Sequence, residues 1–526
     1  DPRNVTITTT SSGGPDQAQL FTPTADSATV KASTIITTLT DGNDVIITTR
    51  DSSGSQDGNI IVSSDISSTA STDREIRLTA ANDIYIGADI TSSAKKLSIK
   101  LEAEGDVIIG SSDGSNTVAS TLTTKGGTLT VKGSNSEGNP LLTTGDEAGS
   151  FTIKAGSSVD TTGAAGVAGG AVTIETAAQD ADGNGATDAD IDIYGSITTT
   201  GGAGSSSAGA VGGNVSLETN NSGTITFFTG ADVTTTGGAG DGTNNNGGNA
   251  GTVTLNTNTA IITLTDTTIN TSGGAAASGG TQGAGGTITI SDPLVISTNA
   301  VTLNTGATAG DVTISSTING STDLDITSGT GDVAIQGIIG GTAALSTLDI
   351  NASTGDGDIE VTDIGDGTPN PAITGLTTLG NSSTGTLTLD GSNYDFGAGV
   401  TFGSATYTQN AGTGVFDIEN GPVSFLGNVV TNGAFSVDTN GGDITVSGNV
   451  SATNTSDTFS LSDGSGSGTI TIGGTISGVK SVSLTGDTEI KLGGDITTSN
   501  AAGGAVTLTG PVTLEADVII DADAAN

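Results

Sequence analysis

Apolar residues along this chain recur two positions apart, with a small polar residue between them. Val5-Thr-Ile7, Ile84-Tyr-Ile86, Leu129-Thr-Val131, Val172-Thr-Ile174, Val215-Ser-Leu217, Val312-Thr-Ile314, Ile444-Thr-Val446 and Val506-Thr-Leu508 follow this rule. A period of two places both apolar side chains on one face of an extended strand. Gly, Asn or Asp closes each run, which predicts short strands joined by tight corners. No stretch shows the period of an amphipathic helix. None approaches the run of about 18 apolar residues that a membrane-spanning helix needs.

So many short strands exceed what one sandwich can hold, and internal repeats decide the architecture. In the middle third Val159, Ile197, Val233 and Ile269 each open a unit, spaced 38, 36 and 36 residues apart. Each is followed by a Thr-rich step and a Gly/Ala/Ser loop, over 163–170, 201–213, 237–251 and 273–286. A unit of that length is expected to hold two short turns of a solenoid, one of them carrying a flexible loop. Further on, Phe396, Phe416 and Phe435 lie 20 and 19 residues apart. Phe416-Asp-Ile418, Phe435-Ser-Val437 and Phe459-Ser-Leu461 share one pattern. A repeat of that length that returns Phe to the same side predicts one solenoid coil, with phenylalanines stacked about 4.8 Å apart in an internal ladder. The core reading of this aromatic cluster leaves Tyr394 and Tyr407 as the residues free to face solvent. The expected fold is an all-β solenoid of about 20–25 coils, with Gly-rich loop insertions on one face, making a rod about 100–120 Å long. One continuous solenoid is expected over 1–526. Its coils carry lysine in 1–158, repeat at 36–38 residues with Gly/Ala/Ser loops in 159–290, and are shorter with the Phe ladder in 291–526.

Composition narrows the function. Cys, His, Met and Trp are absent, and Gly takes 84 positions. Without Cys there is no disulfide, thiolate nucleophile or zinc-thiolate site, and without His the usual general base is missing. A chain without Met is expected to be a processed or partial product. The net charge of −43 comes from 56 Asp and Glu against only 13 Lys and Arg. No Lys or Arg occurs between Lys154 and Lys480. A nucleic-acid or anionic-membrane partner needs a basic patch, and this stretch supplies none. Divalent cations, Ca²⁺ above all, are the expected counter-charge.

Four segments share a further motif: Gly310-Asp-Val-Thr-Ile314, Gly331-Asp-Val-Ala-Ile335, Gly357-Asp-Ile-Glu-Val361 and Gly442-Asp-Ile-Thr-Val446. They resemble the G-D-I-x-I repeats of filamentous-haemagglutinin-like exoproteins. The loop unit from Ile269-Asn-Thr-Ser-Gly273 through Gly285-Gly-Thr-Ile-Thr-Ile290 is similar to their I-x-T-x-G…A-G-x-I-T-I turns, and Asp1-Pro-Arg-Asn-Val-Thr-Ile7 to the segment that follows their secretion domain. The resemblance implies a right-handed parallel β-helix, export across an outer membrane, and surface adhesion or fibre formation.

Among candidate chemical sites, Asp180, Asp182, Asn184, Asp188 and Asp190 stand out. Asp, Asp and Asn at loop positions 1, 3 and 5, with Gly185 at 6 and Asp188 at 9, match the start of an EF-hand-type Ca²⁺ loop. Ile191 occupies position 12, where that loop has a bidentate Glu. Asp41-Gly-Asn-Asp44 resembles half of a Ca²⁺-binding nonapeptide repeat, and Asp356, Asp358, Asp363 and Asp366 form another acidic corner. Paired carboxylates could serve a glycosidase, but residues 155–479 offer no Arg, Lys or His to grip an anionic sugar. No catalytic or cofactor-binding residue is assigned.

The expectation is therefore a non-catalytic extracellular β-solenoid, a structural or adhesive subunit or segment of a cell-surface fibre or filament. The alternative is the stalk of a large two-partner-secreted adhesin that binds host or biofilm glycans, and a remote one is a polysaccharide-acting β-helix enzyme. Expected partners are further copies, end to end or side by side, and a glycan or other cell-surface ligand, with no nucleic acid and no membrane insertion.

Overall fold

The computed structural model describes residues 3–10, 20–49, 55–132, 149–177, 189–220, 223–351, 353–366, 371–410, 412–419, 421–464, 466–499 and 503–522. Strands dominate, every strand pairing described is parallel, and the described residues include a single helix. The chain is a parallel β-solenoid folded as two compact units, residues 1–292 with 304–308 and residues 293–303 with 309–526.

In the first unit each coil lays down three strands in turn. Ile60–Val62, Ile66–Ser68 and Arg74–Ala80 are followed one coil later by Ile84–Ile86, Ile90–Ser92 and Leu97–Ala103, each pairing with its predecessor. Like residues stack: Ile60 lies beside Ile84, Ile84 beside Val107, Val107 beside Phe151 and Phe151 beside Ile191. Every one of these is fully buried, while Ile61, Tyr85, Thr152 and Asp192, each the next residue along its strand, are partly exposed. Each large aliphatic side chain taken from water contributes about 1.5–3 kcal/mol, so a few inward residues per coil hold it to its neighbours. That is how a chain with 33% hydrophobic residues keeps a core.

The 36–38-residue repeat is one coil, not two. Val159 pairs directly with Ile197, Ile197 with Val233, and Val233 with Ile269. The extra length lies in the Gly-rich segments, described below, and not in a second turn.

The expectation of no helix is also corrected. Helix α1 (Ala32–Thr40) buries Ala32, Ile35 and Leu39, spaced three and four apart. Its threonines concealed it, since β-branched residues favour strands. Here Thr37, Thr38 and Thr40 satisfy their hydroxyls on the carbonyls of Ser33, Thr34 and Ile36, four residues back. The helix packs against Ile66–Ser68, a strand whose only strand partner among the described residues is Ile90–Ser92. Covering such an edge blocks unwanted strand addition.

In the second unit the coils are shorter. Val312 pairs with Val333 and Val333 with Ile359, and further on Tyr407 pairs with Val429 and Val429 with Val450. All eight aromatic residues from Tyr394 to Phe459 are buried, each at most 1% exposed. Tyr394 and Tyr407 are thus core residues and not solvent-facing ones. The ladder is also offset from its expected register. Tyr394 lies beside Phe416, and Phe416 beside Val437, while Phe435 lies beside Gly414 and Phe459. Phe416 therefore occupies the row of Val437 and Leu461, two residues along the strand from the row of Phe435 and Phe459. The rings still meet: Tyr394 stacks on Phe416 at 4.6 Å, Phe402 on Phe425 at 4.7 Å and Phe435 on Phe459 at 5.3 Å. Gly414, with no side chain, leaves room for this change of row.

Candidate functional site

The acidic side chains could be chemistry or architecture, and the coil register decides for many of them. In the G-D-I-x-I segments the Asp Oδ1 accepts a hydrogen bond from a backbone N–H one coil onward. Asp311 accepts from Asp332 at 3.0 Å, Asp332 from Asp358 at 2.9 Å, Asp358 from Thr386 at 2.6 Å and Asp443 from Thr469 at 2.8 Å. The same bracket recurs in the first unit, where Asp83 accepts from Asp106 at 2.8 Å and Asp106 from Ser150 at 2.9 Å. The N–H groups at strand starts would otherwise be left without partners, so a short acceptor at this corner is a structural requirement. The Gly before the Asp has its own cause. A Cβ on Gly331 would lie 2.3 Å from the Gly310 carbonyl oxygen, and one on Gly357 only 1.9 Å from that of Gly331.

Asn performs the same task without the charge. Asn4 accepts from Gly58 and Asn59, Asn214 from Thr252, and Asn449 from Thr475. These three asparagines head Asn-X-Ser/Thr triplets, so those triplets belong to the bracket.

Of the proposed Ca²⁺ set, Asp180, Asp182, Asn184 and Asp188 lie outside the described residues. Asp190 is described, and its Oδ1 accepts from the Thr224 N–H at 2.7 Å and the Thr224 hydroxyl at 2.8 Å. Asp190 is a coil bracket. Asp44 accepts from the Glu75 N–H and pairs with Arg74 at 3.7 Å. Asp358 and Asp363 serve different amides, the latter those of Ser392 and Asn393. Among the described residues no group of three or more acidic side chains is placed to hold a metal ion.

Stacking also puts like charges in register. Asp325 lies beside Asp349, and Glu175 beside Glu218. Burial, with the negative charges of Asp349 and Asp323, pushes the Asp325 carboxyl above the usual carboxylate range. Glu360 is raised by a hydrogen bond with Asp390, by burial and by that neighbour's charge. Where bases exist they interleave with these rows. Arg77 pairs with Glu102 at 2.7 Å, Lys100 with Glu75 at 2.9 Å and Lys132 with Glu175 at 2.8 Å.

The Gly-rich segments are ordered, hydrogen-bonded arms and not loose insertions. Each leaves the coil, turns and returns, and a buried threonine clasps its base. Thr161, Thr199, Thr235 and Thr271, all fully buried, donate their hydroxyls to the carbonyls of Gly170, Gly213, Gly251 and Gly286 at 2.5–2.7 Å. Each of those glycines returns its N–H to the threonine's own carbonyl. Sequence reasoning missed these threonines, although each stands two places after Val159, Ile197, Val233 or Ile269. Along the arms the N–H groups of Gly201 and Gly204 donate to Thr236 and Ala239 in the next arm, and those of Gly237 and Gly240 to Ser272 and Ala275. A bond to the same neighbour at every third residue is the signature of an extended helix with three residues per turn. Packing requires glycine on the inner side: a Cβ on Gly202 would lie 1.7 Å from the Ala164 oxygen, and one on Gly238 2.0 Å from that of Gly202. The backbones pack directly against one another. Ala203, Ala239 and Ala275 are the exposed third residues.

On the outer surface of the first unit, Tyr194 and Phe228 stack at 3.8 Å with rings 7° apart. No family model matches the chain, and no curated protein matches it. No helix among the described residues is long and apolar enough to cross a membrane.

Proposed function

We propose that this chain is a non-catalytic structural and adhesive element that works outside the cell, as a subunit or segment of a surface fibre. One observation carries the reading: the carboxylates of the G-D-I-x-I segments accept hydrogen bonds from amides of the following coil. A side chain held in that way serves cohesion and is poorly placed for proton transfer or nucleophilic attack. The acidic character then follows from the use of Asp as bracket together with the scarcity of Lys and Arg. A strongly negative surface keeps such units dispersed at low ionic strength, and Ca²⁺ is the counter-ion that would draw them together. The resemblance to filamentous-haemagglutinin-like repeats adds export and surface display to this reading.

A second version, the stalk of a larger adhesin, is favoured by the ordered arms, which present a rigid side-chain-poor surface beside the coils. Immuno-electron microscopy of native secreted material, with and without chelator, tests the proposal. Labelled fibres at the cell surface, loosened by chelator, are the expected result. Label confined to the cell interior would refute it.

A further inference from the structure

The stack of arms ends in an open layer. In the arm 237–251 the N–H groups that reach the next arm belong to Gly237, Gly240, Asn244, Gly247 and Ala250, donating to Ser272, Ala275, Ser278, Thr281 and Ala284. The arm 273–286, one residue shorter at its turn, stacks on both limbs of it, since Cβ atoms on Gly274, Gly283 and Gly286 would meet the oxygens of Gly238, Gly248 and Gly251 at 1.9–2.0 Å. The corresponding outward donors of this last arm are therefore Gly273 and Ala276 on the outgoing limb, Gly279 at the turn, where φ is +83°, and Gln282 and Gly285 on the returning limb.

The coil that follows has no arm, only the short stretch 305–310. Thr308 covers the base, where its Oγ1 accepts from the Gly285 N–H at 3.2 Å and donates to the Gly283 carbonyl at 2.6 Å. The N–H groups of Gly273, Ala276, Gly279 and Gln282 have no hydrogen-bond partner among the described residues. Ala275, Ala276, Ser278, Gly279, Thr281 and Gln282 are exposed. This row is the three-residue-helix counterpart of an open sheet edge, which recruits an extended chain through backbone hydrogen bonds.

We propose that this open layer is a docking site for a glycine-rich segment of a partner chain that turns back on itself as the arms do, its two limbs in the same three-residue helix, with glycine wherever it faces the layer. The three arm-to-arm interfaces within the chain define the occupant. Each offers carbonyls at three-residue steps, and each excludes any Cβ on its inner side. An ordinary β-strand has a two-residue repeat and carries side chains on both faces, so it matches neither feature.

The test uses the full chain and a labelled synthetic peptide with the sequence of residues 236–250. Fluorescence anisotropy is expected to show saturable binding, and amide exchange at Ala276 and Gln282 is expected to slow when peptide is added. A peptide with alanine at the two positions equivalent to Gly238 and Gly248, whose Cβ atoms would meet the preceding arm, is expected to bind at least about tenfold more weakly, because backbone contact is lost. The double substitution Ala276→Pro/Gln282→Pro removes two donors while holding φ near the value this helix needs. It is expected to weaken binding by a similar factor with circular dichroism unchanged. Should that variant misfold, the exchange measurement on the unaltered chain decides. No saturable binding at millimolar peptide, equal binding of the alanine peptide, or unchanged exchange at Ala276 and Gln282 would each overturn the proposal.

Discussion

Tyr407 shows what a residue contributes and costs in this core. It is 1% exposed, its ring meets Phe402, Phe416, Phe425 and Phe435, and its hydroxyl has no hydrogen-bond partner among the described residues. Burial pushes the phenol far above its ordinary pKa, so it stays neutral. A buried hydroxyl without a partner costs about 1–3 kcal/mol. Tyr407→Phe keeps the ring and removes the oxygen, so it is expected to raise stability by about 1 kcal/mol in chemical denaturation. A loss of stability would show that the hydroxyl is satisfied. The sequence placed this cluster in the core through the Phe-x-apolar pattern, yet it misread Tyr407, because the residue's place in the long strand Val400–Gln409 depends on pairing with Val429 and not on local alternation.

At the scale of elements, the short strands could be read from the alternation of Val, Ile and Leu with Thr and Ser, because inward and outward positions differ by one residue. The arms could not be read as structure, because a polyglycine-type helix has no internal hydrogen bonds and no apolar periodicity. Only the spacing of Val159, Ile197, Val233 and Ile269 and the three-residue recurrence of glycine carry the signal. The arm model makes a sharp prediction about neighbouring residues. Gly238→Ala puts a methyl group 2.0 Å from the Gly202 oxygen, and overpacking of this kind costs about 1–3 kcal/mol. Ala239→Ser, at the exposed next position, is expected to be neutral. Hydrogen exchange along 201–251 distinguishes them, with faster exchange in the first variant alone. Equal exchange in both would mean that the arms do not pack backbone to backbone. Helix α1 was hidden for a related reason. Its four threonines and two isoleucines read as strand formers, and only tertiary contact selects the helix.

At the scale of the whole molecule, charge sets the response to pH. Asp83, Asp192, Asp325, Glu360 and Asp463 all have carboxyls raised above their ordinary values, chiefly by burial except in Glu360, where the hydrogen bond with Asp390 comes first. The folded state then holds protons that the unfolded chain releases. Stability from these groups is complete below the unfolded carboxylate pKa of about 4 and is lost as pH rises through their folded values. Asp113 and Glu489 are lowered by hydrogen bonds and act in the opposite sense, but they are fewer. The melting temperature is therefore expected to increase as pH falls from 7 towards 4. Asp349→Asn, which removes the like charge beside Asp325, is expected to raise the melting temperature at pH 7 and to reduce the gain on acidification. A steady fall in melting temperature over that range would contradict the assignment. The acidic composition was plain in the sequence. The use of each Asp was not, because the amide N–H that donates to it stands one coil away, 21–28 residues along the chain, and only the register reveals it.

The central claim is that Asp in the G-D-I-x-I segments acts as a hydrogen-bond acceptor that joins coils. Comparing Asp332→Asn with Asp332→Ala in thermal or chemical denaturation tests it most directly. Asn keeps the Oδ1 that accepts from the Asp358 N–H at 2.9 Å and removes a negative charge, so the account predicts stability equal to or above that of the unaltered chain. Ala leaves that N–H without its partner, and the account predicts a loss of about 1–2 kcal/mol. Equal stability of the Asn and Ala variants would contradict the bracket and return these carboxylates to the list of candidate chemical groups.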